Sequence, residues 1–272
     1  MAMNVELHIT REVLKGDIFM ELTEGKEKEL VSNYRESKQR LILLDYDGTL
    51  VPFRKRPEDA NPDEEILKLL ETLATDPKNE VVLTSGRDRD TMEKWFGGGI
   101  DCIAEHGALI KEKGKEWEVI ASSEEEWKKE IRPILEMHVD KTHGSFIEEK
   151  EFSIAWHYRN VNPELGHKRA KELVDNLEIA IDSLNLQVLK ENMLIEVQDA
   201  SVNKGKAALY WTAKKEWDFI LAIGDDRTDE DTFSVLPETA YSVKVGPNPS
   251  QARFHLDSFP FVLWLLKKLA EY

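Results

Sequence analysis

The sequence predicts an α/β protein with a doubly wound parallel (Rossmann-like) core sheet and an inserted α+β cap domain. Two observations predict the core: three continuous apolar runs that each end in a polar cluster, and a helical pattern between the first two runs. A third observation, a middle segment with alternating strands, predicts the cap. The apolar runs are residues 41–44, 81–83 and 219–223, and such runs are typical of parallel strands buried on both faces.

The first part of the core is predicted to be a βαβ unit. Residues 62–73 have apolar side chains at helical spacing and acidic residues in the first turn. This helix lies between the strands predicted at 41–44 and 81–83, and a strand, a helix and a strand in this order indicate a parallel sheet. Residues 1–36 are polar and densely charged, so we predict an N-terminal extension or linker there.

The middle of the chain has a different pattern, which predicts the cap. The predicted elements are a helix over 122–140, strands over 145–154 and 156–159, a helix over 162–184, and strands over 186–189 and 193–197. Helix, two strands, helix, two strands indicates an antiparallel α+β unit, not more of the parallel sheet. We therefore predict a cap at 122–198, inserted into a catalytic core formed by 37–121 and 199–272.

The composition excludes several classes of protein and partner. Hydrophobic residues make up 41% of the 272 residues and charged residues 33%, which is typical of a globular protein and argues against disorder. The formal net charge of -16 repels nucleic acid and anionic membranes, so we expect neither as a partner.

The use of cysteine predicts the compartment. Cys102 is the single cysteine and cannot form an internal disulfide, which favours a reducing environment. The sequence shows no apolar run near the ~20 residues of a membrane span and no signal peptide pattern at its start. We therefore expect a cytoplasmic protein in which Cys102 belongs to the core.

Polar residues follow each of the three apolar runs, and they should meet at one edge of the sheet. In open α/β sheets, ligands bind at the carboxyl ends of the strands. The residues expected there are Asp45, Asp47, Thr49, Ser85, Arg87, Asp225 and Asp226. Each acid taken alone is explained equally well as a helix cap or a turn residue. Several carboxylates in one crevice repel one another unless a cation compensates, so together they favour a Mg²⁺ site.

Four motifs in order resemble those of a phosphotransferase superfamily. Asp45-Tyr-Asp-Gly-Thr49 is similar to the DxDGT signature of the haloacid-dehalogenase superfamily. Ser85 after an apolar strand, Lys204 before a helix and Gly224-Asp-Asp-x-x-Asp229 resemble its other three motifs. One DxD pair is common by chance, whereas four motifs in the right order across 41–229 are specific.

Further motifs resemble trehalose-6-phosphate phosphatases, and this resemblance covers nearly the whole chain from about residue 37. The residues that carry it are Arg40-Leu-Ile-Leu-Leu-Asp-Tyr-Asp-Gly-Thr-Leu-Val-Pro-Phe53, Ser85-Gly-Arg87, Glu105-His-Gly107, Trp156-His-Tyr-Arg159, Val202-Asn-Lys-Gly-Lys206 and Gly224-Asp-Asp-Arg-Thr-Asp-Glu-Asp231. In that family a cap lies between the second and third motifs, as predicted here. The Tyr34-Arg-Glu-Ser segment is similar to the linker before the phosphatase half of fused enzymes, so a trehalose-6-phosphate synthase domain is an expected partner.

The resemblance implies a role for each polar residue of the core. Asp45 would be the nucleophile and Asp47 the general acid and base. Ser85 would donate a hydrogen bond to the phosphoryl oxygens, and Lys204 would place a positive charge beside phosphate and Asp45. Mg²⁺ would bind the Asp45 side chain, the Asp47 carbonyl and the Asp225 side chain. Asp226 or Asp229 would support the metal, and the sequence leaves that choice open.

The same resemblance implies residues that bind the substrate. Gly48 would permit a tight turn near the phosphate group, and Thr49 follows it in the same motif as a further candidate for binding. Arg87 would be either a substrate ligand or a structural anchor. A disaccharide offers hydroxyl groups, so specificity requires buried donors and acceptors. The candidates for this role are His106, Lys150, Arg159, Asn192 and Glu196. The alternative for Lys150 and Glu196 is a surface pair within the cap sheet.

The resemblance thus implies Mg²⁺-dependent hydrolysis of trehalose 6-phosphate through an aspartyl-phosphate, a step of trehalose biosynthesis. One alternative is a phosphatase for sucrose phosphate or hexose phosphates. Another is a catalytically silent phosphatase-like domain that binds a sugar phosphate or a synthase for regulation. Asp45, Asp47 and Asp225 are all present, which favours an enzyme.

Overall fold

The structure is a computed structural model that describes residues 20–54, 56–121 and 126–272. Its helices are α1 Glu24–Glu36, α2 Glu64–Thr75, α3 Arg89–Phe96, α4 Lys128–Asp140, α5 Pro163–Ala180, α6 Lys204–Thr212, α7 Thr228–Val235 and α8 Phe259–Ala270. Its strands are β1 Met20–Glu21, β2 Arg40–Asp45, β3 Asn79–Thr84, β4 Asp101–Ala104, β5 Leu109–Lys111, β6 Trp117–Val119, β7 Phe146–Glu149, β8 Ser153–His157, β9 Leu186–Glu191, β10 Leu194–Asp199, β11 Phe219–Gly224, β12 Tyr241–Val245 and β13 Phe254–Leu256.

The larger sheet is the predicted parallel core sheet. Within the described residues its nine strands have the order β1-β13-β12-β11-β2-β3-β4-β5-β6. All neighbouring pairs from β1 to β4 are parallel, while β5 and β6 extend one edge as antiparallel strands. Strand β2 lies at the centre, between β11 and β3. The predicted α/β fold class is therefore confirmed.

Successive side chains of the central strand enter two different hydrophobic layers. Ile42 and Leu44 pack with α1, α2 and α8 on one face, and Leu41 and Leu43 pack with α6 and α7 on the other. A strand with period two that is covered on both faces has to be apolar at every position. Burying each such side chain stabilises the fold by about 1.5–3 kcal/mol. This requirement explains the uninterrupted apolar run.

The predicted cap contains a second, antiparallel sheet in the order β7-β8-β10-β9. Helices α4 and α5 pack on it around Trp156 and Leu173. The helix predicted over 122–140 begins at Lys128, with residues 122–125 outside the described residues, and the helix predicted over 162–184 ends at Ala180. Because the two sheets fall in the two predicted parts, we propose the division into a core, 37–121 and 199–272, and a cap, 122–198.

Part of the predicted N-terminal extension packs on the core. Residues 1–19 lie outside the described residues, but β1 pairs with β13 and α1 covers one sheet face. Leu30 and Tyr34 are buried one helical turn apart, and the Tyr34 ring contacts Phe219 edge to face at 5.5 Å. Leu30 and Tyr34, together with the ion pair between Glu27 and Lys268 of α8, anchor this otherwise charged helix, so residues 20–36 pack against the proposed core.

Two expectations from composition can be compared with the structure. Cys102 lies buried in the main hydrophobic cluster, as predicted. Among the described residues, we find no helix with the length and apolar character needed to cross a bilayer.

Candidate active site

The polar residues predicted at the strand ends line one cavity. Asp45 ends β2, Ser85 follows β3 and Asp225 follows β11, and the three strands are direct neighbours in the sheet. The cavity measures about 680 Å³ and lies between the core and the predicted cap. Its lining includes the predicted residues Asp45, Asp47, Ser85, Arg87, His106, Lys150, Arg159, Asn192, Lys204, Asp225 and Asp226. The structure therefore brings the two predicted groups of site residues together.

Asp45 lies at the buried end of this cavity and is 4% exposed. Its Oδ1 atom accepts a hydrogen bond from Lys204 Nζ at 2.7 Å, whereas its buried Oδ2 atom has no partner among the described residues. Burial raises the pKa of Asp45 well above its ordinary value, against the lowering effect of Lys204. An unpartnered carboxylate oxygen is unfavourable in a buried site unless a ligand or cation satisfies it.

Lys204 is the cation that holds these carboxylates together. It begins α6 and is 1% exposed, and its Nζ atom lies 2.7 Å from Asp45 Oδ1 and 3.0 Å from Asp229 Oδ1. Burial by itself would lower the pKa of Lys204, but the carboxylates of Asp226, Asp229 and Asp45 raise it well above its ordinary value. The side chain is therefore an ammonium ion, fixed beside Asp45.

Three carboxylates form a group that fits a divalent cation. Oxygen atoms of Asp45, Asp225 and Asp229 all lie within 4.8 Å of one another. Burial and the neighbouring Asp226 and Asp229 raise the pKa of Asp225 to about 8. Thr49 Oγ1 donates to Asp225 Oδ1 at 3.3 Å. A buried oxygen-rich group with the unpartnered Asp45 Oδ2 has the donor set that hard cations such as Mg²⁺ prefer.

Asp229 and Asp226, which the sequence left as alternatives, occupy different positions. Asp229 belongs to the carboxylate group, and its Oδ2 atom accepts from the Asp226 backbone N–H at 3.1 Å. The Asp226 side chain instead accepts from Thr228 N at 2.8 Å and from Thr228 Oγ1 at 2.7 Å, at the start of α7. The hydrogen bonds of Asp226 thus stabilise the turn at the start of α7, and this turn places the Asp229 carboxylate beside those of Asp45 and Asp225.

Asp47 is held by Arg87 in a bidentate ion pair. Arg87 Nε donates to Asp47 Oδ2 and Nη2 donates to Oδ1, both at 2.7 Å. The guanidinium group also lies over the ring of Trp95, 4.4 Å from its centroid. Such a paired and stacked arrangement restricts rotation of both side chains. Arg87 therefore anchors the residue implied as the general acid, within the same cavity.

Gly48 allows the chain to turn between Asp47 and Thr49. Its φ angle is 91°, and a Cβ atom at this position would overlap the carboxylate of Asp225. A residue with a side chain would therefore be strained in its backbone and would displace the carboxylate group. The turn predicted at this position is thus required by the packing of β2 against β11.

A second polar group lies on the cap side of the cavity. Glu196 is 0% exposed, and its Oε1 atom accepts from Lys150 Nζ at 2.8 Å and also from Ser153 Oγ. Its Oε2 atom lies 3.3 Å from Nε2 of His106, a residue of the core. Burial opposes ionisation of Glu196, but Lys150 and His106 outweigh it and lower the pKa of this carboxyl. Lys150 and Glu196 are therefore a buried pair rather than a surface pair.

Arg159 and Asn192 connect the cap with the core at the cavity rim. Arg159 Nη1 donates to the carbonyl of Arg54 at 2.6 Å, and Nη2 donates to the carbonyl of Asn192 at 3.3 Å. Asn192 thus contributes its main chain to this contact. Arg159 and Asn192, both predicted as substrate ligands, line the cavity and also hold each other and the core loop.

Three acidic residues of the site were not predicted from the sequence. Glu191 Oε1 lies 3.5 Å from His106 Nε2, and burial raises the pKa of Glu191 to about 7. Glu148 pairs with His157 at 2.7 Å, and Glu105 reaches the cap from the core. Glu148 lies two residues before Lys150, within the strand predicted over 145–154, so alternation could have placed it on the same face. Glu191 lies between the strands predicted over 186–189 and 193–197, and Glu105 acts across the two sheets, so periodicity indicated neither.

Comparison with known sequences assigns the family. The trehalose-phosphatase family model matches residues 43–259. A bifunctional trehalose-6-phosphate synthase/phosphatase of Thermoproteus tenax is 40% identical over 241 residues, which cover 88% of this chain and 33% of the relative. An α,α-trehalose-phosphate synthase (UDP-forming) B of Dictyostelium discoideum is 36% identical over 252 residues, covering 89% of this chain and 32% of the relative. The chain thus spans about a third of the length of these curated relatives.

A solved structure agrees with the sequence comparison. The C-terminal domain of the C. albicans trehalose-6-phosphate phosphatase superposes with a TM-score of 0.86 at 35% sequence identity, covering 90% of this chain and 96% of that domain. The match includes both sheets, since it extends over nine tenths of the chain. The motifs, the fold and these relatives together show that this chain belongs to the trehalose-phosphatase family.

Proposed function

We propose that this chain hydrolyses trehalose 6-phosphate to trehalose and phosphate through an aspartyl-phosphate on Asp45. The observation that carries the proposal is the buried Asp45 carboxylate, with one oxygen on Lys204 and the other unpartnered, at the end of a cavity about 680 Å³ in volume. The family and the printed names of the relatives support the choice of substrate.

In this proposal the reaction has two steps on the same residues. Asp45 attacks phosphorus while Asp47, which first takes up a proton and leaves its pair with Arg87, gives that proton to the sugar oxygen, and the bond between phosphorus and that oxygen breaks. Asp47 then takes a proton from water, which attacks phosphorus, releases phosphate and restores the Asp45 carboxylate. Lys204 neutralises charge on the phosphoryl group next to Asp45, and the Ser85 hydroxyl group donates a hydrogen bond to a phosphoryl oxygen.

We further propose that Asp45, Asp225 and the main-chain carbonyl of Asp47 hold Mg²⁺, with Asp229 in support. The carboxylate oxygens within 4.8 Å of one another and the unpartnered Asp45 Oδ2 support this assignment. When bound, Mg²⁺ would neutralise charge on the phosphoryl oxygens. In its absence, burial and the neighbouring Asp226 and Asp229 raise the pKa of Asp225.

Removal of divalent metal is expected to abolish activity. Excess EDTA should lower the rate of phosphate release by at least about 100-fold, since charge neutralisation by a metal contributes several kcal/mol. Adding Mg²⁺ above the chelator should restore it. As a control independent of turnover, titration calorimetry should detect Mg²⁺ binding to the unmodified chain and weaker binding to Asp225→Asn. Full activity after metal removal would contradict the assignment.

The buried polar group of the cap supports a disaccharide as substrate. Lys150 and His106 line the cavity and are held by the fully buried Glu196, so a ligand that bonds to these two side chains must present hydroxyl groups of matching geometry. Trehalose 6-phosphate is therefore expected to have a kcat/KM at least about 100-fold above that of glucose 6-phosphate or sucrose 6-phosphate. Phosphate release measured across this panel tests the prediction, and equal rates would favour a general sugar phosphatase.

A silent regulatory domain is the second candidate, and the site argues against it. Such a domain has no need of the nucleophile, the general acid and the metal carboxylate together, yet Asp45, Asp47 and Asp225 all line the cavity. Detectable turnover by the purified chain would exclude the silent alternative.

We propose a trehalose-6-phosphate synthase domain as a partner, because the relative from Thermoproteus tenax is named as a bifunctional synthase/phosphatase.

A further inference from the structure

The 3₁₀ turn Glu105–Gly107 has an unusual backbone. Its three residues have φ angles of 45°, 55° and 105°, and two of them are not glycine. Left-handed residues with side chains are rare, and they persist where the surrounding structure enforces them. Positions of this kind are concentrated at functional sites, so the contacts of this turn are informative.

The backbone of the turn is bonded to the loop that carries Ser85 and Arg87. Glu105 N donates to the carbonyl of Arg87 at 2.9 Å, and His106 N donates to the carbonyl of Ser85 at 3.1 Å. A Cβ atom on Gly107 would lie 2.6 Å from the carbonyl oxygen of Asn203, which directly precedes Lys204. The turn therefore contacts the segments that position three residues of the proposed active site.

The two side chains of the turn point into the predicted cap. Glu105 is 2% exposed, and its Oε2 atom accepts from the backbone N–H of Phe152 at 2.8 Å. The neighbouring His106 reaches Glu196, as described above. Phe152 follows β7, and its ring is buried within the hydrophobic cluster of the core sheet. Cap and core thus meet at this residue through both its backbone and its ring.

The cap segment 150–152 is held from several sides. Lys128 Nζ, from α4 of the cap, donates to the carbonyls of Lys150 and Glu151, both at 2.7 Å. Lys150 Nζ donates to the carbonyl of Gly86 in the core at 3.0 Å, as well as to Glu196. From the core, the Glu105 side chain accepts a hydrogen bond from the backbone N–H of Phe152 in this segment. A shift of segment 150–152 would therefore move Lys150 relative to the end of the cavity that contains Asp45.

We propose that Glu105 is a positioning residue, whose carboxylate docks segment 150–152 of the cap on the core and so places Lys150 over the bound sugar phosphate. This inference rests on the proposed phosphatase function and deepens it. Glu105 acts through Phe152 and Lys150, while its backbone ties the same turn to Ser85 and Arg87. The turn Glu105–Gly107 thereby links the docking of the cap to the positions of Ser85 and Arg87 in the proposed active site.

The test compares a substrate that reaches the cap with one that is too small to do so. The kcat/KM values for trehalose 6-phosphate and for p-nitrophenyl phosphate are measured on the full chain and on Glu105→Ala. Their ratio is expected to fall by about 10- to 100-fold in the variant, since a buried bond to a charged group is lost. Glu105→Gln should restore most of the ratio, because its amide oxygen still accepts from Phe152. Glu118→Ala, at an exposed glutamate of β6, is the control.

Equal losses on both substrates, or an unchanged ratio, would overturn the positioning role. If the unmodified chain prefers another sugar phosphate, the proposed function fails, and the same ratio with that ester still tests Glu105. If a variant does not fold, hydrogen exchange on the unmodified chain provides a test that needs no substitution. The Phe152 amide should have a much higher protection factor than the amide of Gly114 in an exposed turn. Similar protection factors would contradict the docking bond.

Discussion

Replacing Asp45 with asparagine is expected to lower kcat for trehalose 6-phosphate by about 10⁴-fold or more, because the amide cannot form the acyl phosphate. The site offers no obvious substitute among the described residues: Asp225 and Asp229 belong to the same carboxylate group, and Asp47 is paired with Arg87. Phosphate release under single-turnover and steady-state conditions measures the effect. The asparagine is nearly isosteric, and circular dichroism should show an unchanged fold.

The control for this substitution is Asp182→Asn, at an exposed position of the cap, which should retain the activity of the unmodified chain. A second readout is direct. Acid quenching of the unmodified chain during turnover, followed by peptide mass spectrometry, should place a phosphoryl group on Asp45. Turnover of Asp45→Asn close to that of the unmodified chain would rule out nucleophilic catalysis by this residue.

Replacing Lys204 with alanine is expected to affect both activity and stability. The rate should fall by about 10³-fold, because a preorganised charge beside the nucleophile is lost. In metal-free buffer near pH 7 the free energy of unfolding should fall by about 3–5 kcal/mol, since breaking a buried ion pair leaves carboxylates without a counter-charge. Lys204 contacts Asp45 at 2.7 Å and Asp229 at 3.0 Å, so both acids lose this partner.

The pH dependence of this loss follows from the raised pKa values. Burial raises the pKa of Asp45 and of Asp229 well above the ordinary value while Lys204 lowers it, so removing Lys204 raises both pKa values further. A group with a raised pKa stabilises the fold in its protonated state and loses that contribution as pH rises, and the variant loses more of it. The destabilisation of Lys204→Ala should therefore be smaller at pH 5 than at pH 8. Denaturant unfolding at both pH values, with Lys206→Ala as the control on the exposed face of α6, measures it. Equal losses at both pH values would contradict this account.

The strand ends were predictable because the parallel sheet imposes a local rule. Asp45 ends the run 41–44 and Asp225 follows 219–223, and parallel neighbouring strands bring such ends to one edge. The chemistry of acids that need a cation follows from the residue types alone. The choice between Asp226 and Asp229 could not be predicted in this way. It depends on the first turn of α7, where Asp226 bonds to Thr228 and leaves Asp229 facing Lys204.

The cap-side residues were harder to predict because their partners lie far away in sequence. Glu196 contacts Lys150 and His106, and Glu105 contacts Phe152. The contact between Glu196 and Lys150 lies within the cap, whereas those of His106 and Glu105 join the core to the cap, and none of the three produces a periodic signal. His106, Lys150 and Glu196 were named through family resemblance, whereas Glu105 became visible in the structure through its buried contact. The high charge of residues 20–36 favoured the prediction of an extension or linker, so their packing on the core was not predicted.

By itself, the sequence determined the kind of sheet, the edge at which chemistry is concentrated and the family, since burial on two faces and local motifs leave their pattern in neighbouring residues. The tertiary structure alone decided how the cap meets the core: the Arg159 bond to the carbonyl of Arg54, the His106 contact with Glu196, and the Glu105 bond to Phe152. These contacts depend on the relative position of two separately hydrogen-bonded sheets, and that position is set by packing between residues distant in the chain.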